Sequence, residues 1–125
     1  MMHTTQIVIC RPDALGRLTW ITDHSHAAIQ QRIQEAQRTG VFQFSLSRAE
    51  IRYLDRCTEG LFSKMLDRSG DVYRERPLPT DQLEMLEGCA SRLSEHSTYR
   101  AWLSTFIDAV TRARSLHRAY RMFIR

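Results

Sequence analysis

The segment Val41-Phe-Gln-Phe-Ser-Leu46 alternates strictly, with Phe42, Phe44 and Leu46 on one side and Gln43 and Ser45 on the other, and Ser47-Arg-Ala-Glu50 follows without a spacer. A period of two marks a strand with one buried face. The Ser-x-x-Glu form is a capping box: Ser47 accepts from the third amide of a helix while Glu50 reaches back to the amide of Ser47. The chain therefore changes from strand to helix between two adjacent residues. Ile51, Leu54, Thr58, Leu61, Phe62, Met65 and Leu66 continue the helix at three- and four-residue spacing, which predicts that it runs to Ser69 and stops at Gly70. Gly60 weakens its middle by about 1 kcal/mol relative to Ala, so a kink is expected there.

The flanking segments extend this pattern. Gln6-Ile-Val-Ile-Cys10 is short and β-branched, Arg11-Pro-Asp13 is a turn, and Leu18-Thr-Trp-Ile-Thr22 alternates again. Together they read as a hairpin or two neighbouring strands. Asp23 or Ser25 can cap a helix ending near Thr39, with Ala28, Ile29, Ile33 and Ala36 inward and Gly40 as its C-terminal cap. Residues 70–79, with Pro77 and Pro79, form the connector between helices. Thr80 opens a helix with Leu83, Leu86, Cys89, Ala90 and Leu93 inward. After a break at His96-Ser97, a last helix can continue to the end of the chain. The expected fold is one α+β domain over residues 1–125, predominantly helical. It has a small N-terminal sheet of two or three short strands and about four helices, the last one long.

Composition narrows the function classes. A chain of 125 residues with 42% hydrophobic and 26% charged content can bury a single core. No stretch approaches the roughly 18 apolar residues of a membrane span. Residues 1–10 lack the basic flank and cleavage pattern of a signal peptide, so no membrane partner and a cytoplasmic setting are expected. Three cysteines with no Cys-x-x-Cys spacing argue for reduced packing residues rather than a disulfide framework. Of the 18 basic residues only Lys64 is lysine, and asparagine is absent. A GC-rich coding sequence of bacterial or phage type explains both biases together. Arg abundance is then a weak argument for phosphate recognition.

The formal charge of +4 is concentrated at one end. Residues 97–125 hold six Arg against Asp108 alone, whereas residues 47–96 hold eight basic residues against ten acidic ones. On a helix at about 100° per residue, Trp102, Phe106, Ala109, Ala113, Leu116 and Tyr120 group on one side. Arg100, Arg114, Arg118, Arg121 and Arg125 group beside them, and Met122, Phe123 and Ile124 put apolar groups all round the last turns. That pattern predicts a contact surface made of Trp102, Phe106, Arg114, Arg118, Tyr120, Arg121, Phe123 and Arg125. The apolar last turns are expected to dock on the chain's own core or on a second copy, as a homodimer, and the surface as a whole suggests a protein partner, since aromatic residues and Arg dominate protein interfaces. The alternative is a nucleic-acid-binding regulator using Arg114, Arg118, Arg121 and Arg125 against phosphate. It requires that Glu84, Glu87 and Glu95 leave those guanidinium groups unpaired.

Signs of chemistry are sparse. His24-Ser-His26 follows Asp23, but no third metal ligand stands at a recognisable spacing. No nucleophile elbow or phosphate-cradling glycine loop is present. The sequence predicts neither catalytic residues, nor a cofactor, nor a metal. It points to a regulatory binding protein of the inhibitor, antiactivator or adaptor kind, with a small enzyme built from distant residues as the third reading.

Overall fold

The structure is a computed structural model that describes residues 4–17, 26–66, 72–115 and 120–125. Its described strands are β1 (Thr4–Cys10), β2 (Phe42–Ser47), β3 (Arg74–Arg76) and β4 (Arg121–Ile124). The helices are α1 (His26–Thr39), α2 (Arg48–Cys57), α3 (Leu61–Met65), α4 (Leu83–Arg92) and α5 (Thr98–Ser115), with short 3-10 turns at Pro12–Arg17 and Thr80–Gln82. The fold is α+β, mostly helical, with a small antiparallel sheet and a long helix near the end of the chain. None of the described helices is long and apolar enough to cross a membrane.

The sheet runs in the order β2-β1-β4-β3, with every neighbouring pair antiparallel. Ile7 faces Phe44 on one side and Ile124 on the other, and Ile9 faces Phe42 and Met122. These residues share one face of the sheet, which carries the main core. Val8, Cys10 and Phe123 point the opposite way, forming a second small cluster with Ala14, Leu15, Val41 and Tyr73 packed on it. Gln6 lies in the interior on that same back face, donating through Nε2 to Ser45 Oγ at 3.1 Å. Both faces of β1 and β4 are thus covered.

Helix α5 fills the front of the sheet. It buries Trp102, Leu103, Thr105, Phe106, Ile107, Ala109, Val110 and Ala113, more than one amphipathic stripe could supply. Its aromatic residues make a continuous stack. Trp102 and Phe106 lie 5.3 Å apart and nearly parallel, with Phe44 of β2 4.9 Å from Trp102 and Phe62 of α3 5.5 Å from it. Close packing of this kind is costly to disturb.

Several expectations hold in detail. The capping box forms, with Ser47 N donating to Glu50 Oε1 at 2.9 Å and Glu50 N to Ser47 Oγ at 3.2 Å. Gly40 ends α1 at φ 75°. That left-handed conformation excludes most side chains, and a Cβ there would stand 2.6 Å from the Tyr120 hydroxyl.

Three expectations change. The helix expected over residues 47–69 is two helices, because Glu59 and Gly60 both adopt positive φ. Thr58 Oγ1 bonds back to Leu54 O at 2.7 Å and closes the turn. The connector 70–79 contributes β3, which pairs with β4 from the sheet's outer side. The last helix does not reach the end of the chain: it is described over Thr98–Ser115, and residues 121–124 form β4. The physical reason is the unbroken run Met122-Phe-Ile124. On a helix it would leave an apolar group facing water, but between β1 and β3 it satisfies its backbone and buries both faces. Two of the four strands therefore lie far from the N-terminal end where the sheet was expected. The strand expected over Leu18–Thr22 lies outside the described residues.

This placement has a measurable consequence. Met122→Ala should lower unfolding free energy by about 2–5 kcal/mol, the range for truncating a fully buried side chain. Arg114→Ala should change it by less than about 0.5 kcal/mol. Urea denaturation of the two variants checks the contrast; equal effects would contradict the placement of β4.

Candidate functional site

The residues expected to form one surface on the last helix are distributed over three environments. Trp102 and Phe106 lie inside the main core. Arg114 is exposed on α5, in front of the sheet. Arg121, Phe123 and Arg125 project from β4 and its extension toward the back of the sheet, since Cys10 faces Arg121, Val8 faces Phe123, and Gln6 exchanges both backbone bonds with Arg125. Phe123 is buried there. The Arg121 guanidinium donates to Tyr120 O at 3.0 Å and lies 3.8 Å from Glu75, and Arg125 sits 5.7 Å from the Tyr73 ring. Tyr120 is half-buried against Gly40, and Arg118 lies outside the described residues. The structure does not bring this set together. Met122, Phe123 and Ile124, expected on the chain's own core or on a second copy, are interior to the sheet and so lie on its own core.

Glu84, Glu87 and Glu95 make no ion pair with these cations among the described residues; Arg121 is matched instead by Glu75 of β3. His24 lies outside the described residues, and His26 opens α1. Among the described residues no group of three His, Cys, Asp or Glu side chains is placed to hold a metal. Two hollows lie between α1 and β2, one lined by Ala36, Phe44 and Trp102 and the other by Arg32, Glu35 and Gln43. They offer about 10 and 120 Å³ respectively, against the roughly 300 Å³ or more of small-ligand clefts.

The cysteines pack rather than cluster. Cys89 donates through its thiol to Cys57 O at 2.6 Å and accepts from Arg92 at 3.2 Å. Cys10 is enclosed on the back of the sheet, where burial, with Asp13 adding to it, pushes its thiol up to about 11. Burial also raises the hydroxyls of Tyr73 and Tyr99. For Tyr73, Arg125 opposes that rise; for Tyr99, Glu50 and Tyr53 add to it.

A different surface emerges on α2. Arg48, Arg52 and Arg56 recur every four residues, so they fall within roughly 80° of one another at the helix period. All three are exposed, on the side opposite buried Leu54. The two carboxylates of the same helix are committed elsewhere. Glu50 closes the capping box, and Asp55 accepts from Ser63 N at 2.9 Å and from the Ser63 hydroxyl. Among the described residues Arg48 and Arg52 make no ion pair, while Arg56 stands 5.9 Å from the Tyr53 ring. Tyr53 in turn stacks on Tyr99 at 4.4 Å, fixing α2 against the start of α5.

Part of this arrangement opposes local helix energetics. Like charges four residues apart destabilise a helix by about 0.2–0.5 kcal/mol per pair, and Arg48 sits at the positive end of the helix dipole. Arg56, in the last turn, is favoured by the same dipole, so the stability of α2 accounts for part of the row and not for Arg48. Nothing in the segment's charge balance singled it out, because residues 47–96 hold ten acids against eight basic residues; the four-residue spacing was the available signal. Comparison with protein-family models, with curated proteins and with solved structures returns no match to this chain.

Burial orders the thiols. A maleimide at pH near 8 should modify half-buried Cys57 before Cys10 and Cys89. Because the folded Cys10 thiol holds its proton up to about 11, against 9.0 for its ordinary value, its contribution to stability is complete below pH 9.0 and falls as pH rises toward 11. Mass spectrometry of the labelled peptides and alkaline denaturation curves check both; Cys10 labelled first, or a flat alkaline limb that Cys10→Ala leaves unchanged, would contradict its enclosure.

Proposed function

We propose that this chain is a non-catalytic, cytoplasmic regulatory binding protein, and that it engages an anionic macromolecule through the Arg face of α2. One observation carries the reading. Arg48, Arg52 and Arg56 stand exposed on one line, three cations against the two carboxylates of their helix, and Glu50 and Asp55 are hydrogen-bonded to Ser47 and Ser63 rather than ion-paired with the row. A row of guanidinium groups in excess of its own helix's acids is a field that favours a negative partner.

The sequence puts a protein partner first, because aromatic residues accompany Arg along the last helix. Trp102 and Phe106 belong to the core, which moves that support elsewhere. Among the described residues Val72, 62% exposed, is the one large apolar side chain on the surface. A protein partner on α2 would therefore be met mainly by charge, an acidic patch rather than an apolar socket.

The test is affinity capture from the source cell with wild-type protein and with the variant Arg48→Glu, Arg52→Glu, Arg56→Glu, in each case with and without nuclease. Unchanged circular dichroism would establish that the variant folds. The reading predicts a partner retained by wild type and lost by the variant; equal capture by both sinks it.

A further inference from the structure

We infer that the Arg face of α2 binds the phosphate backbone of a nucleic acid, an inference that rests on the reading of α2 as the contact surface. Successive side chains in the row rise by about 6 Å along the helix, so the three guanidinium groups track a line of about 12 Å. A phosphodiester strand presents its charge as such a line, and cations along it are what affinity for the backbone requires. Guanidinium suits the role because its fork of donors matches phosphate oxygens two at a time.

The surroundings separate this partner from an acidic protein. Most protein interfaces draw their affinity from a few desolvated anchors, commonly aromatic, near the centre. The exposed neighbour of the row on α2 is Ala49, and the nearest aromatic residue, Tyr53, is turned into its stack with Tyr99. Phosphate asks for no such anchor. The overall charge of +4 and pI near 9.3 add long-range attraction of the same sign. The surface differs from the one the sequence suggested: it lies on α2, and Arg114 has no part in it.

Fluorescence anisotropy with a duplex of arbitrary sequence about two helical turns long, and with one of its single strands, tests the inference. Three phosphate contacts predict that log K falls against log salt with a slope of about −2.7 for duplex or about −2.1 for single strand. Arg48→Gln, Arg52→Gln and Arg56→Gln should each make the slope shallower by about 0.9 on duplex or about 0.7 on single strand, while Arg114→Gln leaves it unchanged. Absence of binding to either probe at about 50 mM salt, or a slope that Arg114→Gln changes as much as Arg52→Gln does, overturns it. If neither probe binds but the triple Glu variant still loses a protein partner after nuclease, the anion is an acidic protein surface. The inference then fails and the proposed function stands. If that loss is missing too, both fail.

Discussion

The pairing of Met122-Phe-Ile124 with Ile7-Val-Ile9 organises the rest of this molecule. It joins the first described strand to the last, and it puts Met122 and Ile124 against α5 while Phe123 closes on Val8 from behind. β2 and β3 then add to an existing two-strand centre, one on each side. Without β4, β1 would lose the partner on one whole edge, and the aromatic stack of Phe44, Phe62, Trp102 and Phe106 would rest on half a floor. The long sequence separation of this contact also makes it expensive in loop-closure entropy, so the apolar burial on both of its faces is what sustains it.

The same pairing redistributes the protein's charge. A helix continued to Arg125 would carry its cations on one side. A strand sends Arg121 and Arg125 to the back of the sheet, beside Glu75 and Tyr73, and leaves Arg114 on α5 in front. Among the described residues the basic end of the sequence is thus divided between the two sides of the sheet. The row that does persist is on α2, where a regular helix with both of its own carboxylates occupied keeps three Arg in line.

Much of the fold was legible where local chemistry and tertiary packing agree. The strand-to-helix switch at Ser47, the glycine cap at Gly40, the inward residues of α4 and the start of α5 all follow from period and capping, and all are present. Legibility failed where the deciding contact is distant. Tyr120 to Ile124 reads as a helix end by continuity with the Arg-rich residues before it, and only β1 and β3 make it a strand. An apolar run that surrounds a helix on every side was the signal for a doubly covered strand. Arg74-Glu-Arg76 is equally neutral in isolation and becomes a strand by lying beside β4. The candidate surface was missed for another reason. Summing charge over residues 47–96, ten acids against eight basic residues, hid the regular spacing of Arg48, Arg52 and Arg56.

Hydrogen exchange at single-amide resolution addresses the central pairing most directly. Amides whose bonds form the middle of a covered sheet exchange only through global unfolding, whereas a frayed terminal segment exchanges through local opening. With β4 between β1 and β3, the bonded amides of Met122 to Ile124 should share the slow class of Ile7 to Ile9. Exchange of Met122 to Ile124 at near-random-coil rates, with Ile7 to Ile9 still protected, would contradict the account.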